Sequence, residues 1–158
     1  MKKTRQIFSR FFLNDRTYSL SDVAQFMAAF YFDMRTIHFL TVGKEFYTLH
    51  SLAEELYIRA EMYYDDLVET YLGYNEGYTP MYAIPQEWNE LRGQTAEGGT
   101  EDFDVERVTS IMTTKLQNIF DICENINKSK YSSFVYSKID SILEYLDKEI
   151  YKITQFGK

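Results

Sequence analysis

His38-Phe39-Leu40-Thr41-Val42-Gly43-Lys44-Glu45-Phe46-Tyr47-Thr48-Leu49-His50 is the stretch on which the reading of this chain turns, together with Glu54, Asp65 and Glu69 downstream. It holds the only two histidines among 158 residues. Gly43 lies between them, where one helix can stop and the next begin. From about Glu45 to Leu72 the pattern is helical, with no Gly or Pro to interrupt it. His50 and Glu54 stand at i, i+4 on one helix face, and so do Asp65 and Glu69. At roughly 100° per residue, Glu54, Glu61 and Asp65 fall within roughly 60° of His50, and Glu69 at roughly 100°.

Along the helix the two pairs are far apart. Fifteen residues at about 1.5 Å each separate His50 from Asp65 by roughly 22 Å, so one helix cannot close both pairs on one ion. A second copy running antiparallel across a two-fold axis could. His50 and Glu54 of one chain would then face Asp65 and Glu69 of the other, and the symmetry would create two such sites. His38, at the end of the preceding helix, could complete the set. Imidazole and carboxylate together suit iron, zinc or manganese better than calcium. The competing reading is that the histidines end a helix and pack in a core, with the acids on a solvated face.

The pattern H-x4-G-x2-F-x3-H, followed by E-E-L-Y and D-D-L-V-E, resembles the signature of Dps proteins, the miniferritins. The resemblance covers about residues 20 to 72 and again about 131 to 156. It implies a ferroxidase site shared between two subunits: His38, His50 and Glu54 from one, Asp65 and Glu69 from the other. It also implies iron as the metal, peroxide or oxygen as oxidant, and a cage of twelve chains that stores iron and limits oxidative damage. Two positions depart from the family. Glu54 stands where an Asp is usual, lengthening the ligand by a methylene. Phe39 stands where a Trp usually follows the first histidine, and that Trp is linked in the family to quenching oxidising equivalents.

Bulk properties fit one all-helical domain spanning residues 1–158. The chain is 45% hydrophobic and 17% aromatic, with fourteen Tyr and twelve Phe, which excludes a disordered protein. Two prolines and seven glycines, mostly in the middle, leave long runs for helices. A single cysteine, Cys123, excludes an internal disulfide framework and suits a reducing compartment. No apolar run approaches the roughly 20 residues of a membrane span, and polar residues break up the N-terminal segment. The expectation is a cytoplasmic protein without a membrane partner. The net charge of −7 argues against a surface built for nucleic acid.

Residues 1–18 form a basic, aromatic arm, with Lys2, Lys3, Arg5, Arg10 and Arg16 beside Phe8, Phe11 and Phe12. Repeated around an oligomer, these cations could hold DNA, but the apolar residues look more like a segment docked on a neighbour, and an ordered or frayed arm with a solvated basic end is favoured over DNA binding. A first helix is expected from about Leu20 to Val42, with Ser19 and Asp22 as a capping pair. Its stripe of Val23, Phe26, Met27, Phe30, Met34 and Ile37 leaves His38 on or beside the apolar face. The second helix should run from about Glu45 to Leu72. Residues 73–103 are irregular, with a short helix at about Pro85 to Leu91 that carries Trp88 as a packing anchor. The acid run from Glu97 to Glu106 reads either as a channel lining for iron or as a solvated loop. A third helix is expected from about Asp104 to Asn127, with Cys123 as a small core residue, and a fourth from about Tyr131 to Gln155. Four helices with a long excursion between the second and third make an up-down-down-up, ferritin-like bundle.

Ordinary di-iron bundles place E-x-x-H pairs inside one chain, and none occurs here. The sequence also lacks a glycine-rich phosphate loop and a recognisable Cys-His pairing. Three functions remain: an iron-oxidising miniferritin; a non-enzymatic scaffold or DNA-associated relative whose metal site is structural or degenerate; and a helical interaction protein without metal.

Overall fold

The computed structural model describes residues 16–86, 88, 103–156 and 158. Among them are four long helices and no strand: α1 (Leu20–Leu40), α2 (Phe46–Leu72), α3 (Val105–Glu124) and α4 (Ser133–Gln155). α1 and α3 start at side-chain caps. Ser19 caps α1 in a full capping box: its side chain accepts from Asp22 N, and Asp22 Oδ2 accepts from Ser19 N at 2.9 Å. Asp104 caps α3 by accepting from Arg107 N. α1 ends two residues before the expected Val42, because Thr41 turns extended and Val42 N donates to Phe103 O at 3.0 Å. Gly43 then makes the corner at φ +99°, a conformation costly for any residue with a Cβ. α3 is shorter than expected at both ends, stopping at Glu124, and α4 starts at Ser133, just after the expected Tyr131.

Four contacts fix the topology. α1 and α2 form a hairpin, and so do α3 and α4. Tyr18 pairs with Ile126, and Thr41 with Phe103, so α1 and α3 lie antiparallel. Lys138 bonds Asp66, and Tyr145 meets Tyr63 edge-on, so α2 and α4 are antiparallel as well. α2 and α3 are therefore parallel. Their connection, residues 73–104, must return along about 30 Å of bundle. The result is an up-down-down-up four-helix bundle.

The core is the set of inward positions from all four helices, including Phe26, Phe30, Met34, Leu49, Leu56, Leu67, Met112, Leu116, Ile142 and Leu146. On α2 Tyr64 and Tyr71 are buried, while Tyr63 is only half-buried. Cys123 is buried as expected, and burial pushes its thiol up to about 12. Trp88 is buried too, with its indole Nε1 donating to Asp33 Oδ2 of α1 at 2.7 Å. Lys115 of α3 reaches the same carboxylate at 3.5 Å and lies 4.8 Å from the Trp88 ring. Trp88 thus anchors the crossover to α1 and α3. Gln86 and Trp88 are helical and Pro85 is not, while residues 87 and 89–91 of the expected Pro85–Leu91 helix lie outside the described residues, as do most of the acid run and the arm through residue 15.

Candidate metal centre

The α1–α2 corner brings the two histidines together. His38 sits in the last turn of α1 and His50 in the second turn of α2, both half-buried. Their rings stack with centroids 3.6 Å apart and planes 26° apart. Each ring is tied to the other residue's backbone: His50 Nδ1 donates to His38 O at 2.7 Å, and His38 Nδ1 donates to His50 O at 3.1 Å. A carbonyl oxygen can only accept, so both Nδ1 atoms carry the proton. Each neutral ring therefore keeps its lone pair on Nε2. Metal-ligating imidazoles use this arrangement, in which a carbonyl partner fixes tautomer and ring orientation.

Aromatic rings wall the pair. Phe46 stacks on His50 at 4.8 Å, while Phe39 and Tyr57 meet His38 edge-on at 5.2 and 5.4 Å. Above them Arg35 lies 5.2 Å from Tyr57, 5.6 Å from Tyr31 and 5.7 Å from Phe39. Arg35 Nη1 donates to the Tyr31 hydroxyl at 2.7 Å; this bond, with Tyr31, Tyr57 and Glu61 close by, outweighs desolvation and raises the guanidinium pKa. Arg35 and Tyr57 went unremarked at the sequence level. The i, i+4 spacing of Tyr31, Arg35 and Phe39 carries part of that signal, because it puts a cation between two rings on one face.

Glu54, Glu61, Asp65 and Glu69 are exposed and make no hydrogen bond or ion pair among the described residues. Glu54 lies one turn from His50 on α2, whereas Asp65 and Glu69 lie toward the far end of that helix. Among the described residues of one chain, no group of three or more His, Cys, Asp or Glu is placed to hold a metal ion. The histidine pair is thus assembled within the chain, and the acids are not gathered around it. Asp66 is committed elsewhere, to Lys138 at 2.5 Å. No described helix is long and apolar enough to cross a membrane. No family model and no curated protein sequence matches this chain.

Proposed function

We propose that the protein binds and oxidises Fe(II) at a site formed by His38, His50 and Glu54 and completed by Asp65 and Glu69 of a second copy. The observation that carries this reading is the reciprocal Nδ1-to-carbonyl bonding of the two histidines, which leaves both Nε2 atoms as acceptors. Carboxylates from a partner chain would supply the negative charge and oxygen ligands that Fe(II) and Fe(III) favour. The resemblance to miniferritins agrees with the bundle topology and extends the proposal to a ferritin-like cage that stores ferric mineral, with peroxide or oxygen as the electron acceptor.

In this scheme the chain's own residues bind and orient. Imidazoles from α1 and α2 come preset by backbone carbonyls, so little ordering remains when metal arrives. Metal needs the neutral rings, because a proton and a metal ion compete for the same Nε2 lone pair. The test is His50→Ala. It should lower metal affinity by about 100-fold or more and abolish iron oxidation, while the helical circular dichroism stays unchanged. Metal bound by the unaltered protein without oxidation would point instead to a structural clip. Unchanged oxidation in the variant would remove the histidine pair from the reaction.

A further inference from the structure

Arg35 of α1 stands one turn before His38 and is half-buried. The chain carries 24 acids against 17 Lys and Arg, yet Arg35 makes no ion pair among the described residues. Glu61 of α2 acts on it through charge without touching it. Its surroundings are aromatic instead. Tyr31 and Tyr57 meet edge-on at 5.9 Å with planes 88° apart, and the guanidinium sits over both rings and over Phe39. One N–H donates to the Tyr31 hydroxyl, and the other side-chain N–H groups have no acceptor among the described residues. Phe39 is 66% exposed, so the third ring lies open to solvent beside the cation.

Aromatic rings cover a guanidinium without neutralising it, and they leave its donors directed outward in one plane. That planar fork matches the oxygens of a carboxylate or phosphate, which it holds through parallel, charge-assisted bonds. Ring walls also exclude water, and such bonds strengthen where water is excluded. We infer that Arg35 anchors a binding site for a small organic anion, with the carboxylate or phosphate group on the guanidinium edge and the apolar body against Phe39. The site adjoins the histidine pair, because Phe39 and Tyr57 each meet both His38 and Arg35. It uses none of the proposed metal ligands and needs no metal. Glu61 and the net charge of −7 oppose an incoming anion, so binding is weak, on the order of millimolar Kd.

The experiment is a ligand-observed NMR titration of the full chain at neutral pH in EDTA, so its outcome is separate from that of the metal site. Benzoate and phenyl phosphate are the probes, with acetate and inorganic phosphate as the same head groups lacking the ring. The expected result is that at least one ringed probe binds roughly 3- to 10-fold more tightly than its bare head group. The tighter of the two ringed probes identifies the head group. Arg35→Gln should weaken binding by about 10-fold or more. Arg35→Lys, which keeps the charge and loses the fork, should weaken it as well. Glu61→Gln leaves Arg35 in place and should tighten binding by about 2-fold or more, with the helical circular dichroism unchanged. Phe39→Ala should abolish the preference for the ringed probes. Failure of all four probes to bind, or equal binding by Arg35→Gln, overturns the site. Binding that Glu61→Gln leaves unchanged overturns the placement of the anion at Arg35, even if the Arg35 variants fail to fold. Equal affinity for ringed and bare anions overturns the part given to Phe39.

Discussion

Glu76 shows how one side chain can hold three elements together. It follows α2, yet its Oε2 accepts from Ser21 N at the start of α1 at 3.0 Å. Its Oε1 pairs with Lys130 at 2.8 Å and accepts a short hydrogen bond from the Tyr131 hydroxyl, which itself accepts from Leu20 N. Burial alone would raise this carboxyl, but the bonds from Lys130, Tyr131 and Ser21 hold it below its ordinary value. A carboxyl depressed in the folded state stabilises the fold above its unfolded value of 4.5 and loses that contribution as pH falls through the lower folded value. Glu76→Gln should therefore lower the urea midpoint at pH 6, and the gap to the unaltered protein should narrow by pH 3. Urea curves at both values check this. Sequence reading missed Glu76, because its three partners lie about 55 positions away in both directions. The histidines were legible for the opposite reason: twelve residues with one glycine leave a corner few ways to close.

At the scale of the element, the corner and caps follow from local chemistry. The Ser19–Asp22 box was readable because both halves of the bond lie three residues apart. Ser19→Ala should cost about 0.5–2 kcal/mol, seen as a lower thermal midpoint. Gly43 has open space where a Cβ would sit, so steric clash is absent and its φ of +99° alone resists substitution. Gly43→Ala should destabilise by about 1–3 kcal/mol and weaken metal binding, since the same turn sets the distance between His38 and His50. Calorimetry and metal competition report the two effects separately. The end of α1 was misplaced for a non-local reason: Val42 donates to Phe103, sixty-one residues on, and that bond takes the chain out of the helix.

For the whole molecule, the bundle was legible from four apolar stripes and one long glycine-rich connection. Its polar interior was not. Asp33 and Lys115 are buried charges on α1 and α3, and their partnership depends on how those helices align, which no local pattern encodes. Trp88 joins that pair to the crossover. Trp88→Phe should cost about 1–3 kcal/mol by removing the indole donor from Asp33, and urea unfolding measures it. The proposed iron-oxidising site shared by two copies is tested most directly by anaerobic Fe(II) titration followed by peroxide, with absorbance and particle mass read together. A shared site of this kind binds about two or more Fe(II) per pair of chains, oxidises them rapidly and brings association into particles larger than one chain. Absence of Fe(II) binding, or binding by single chains with no oxidation when peroxide is added, would contradict it.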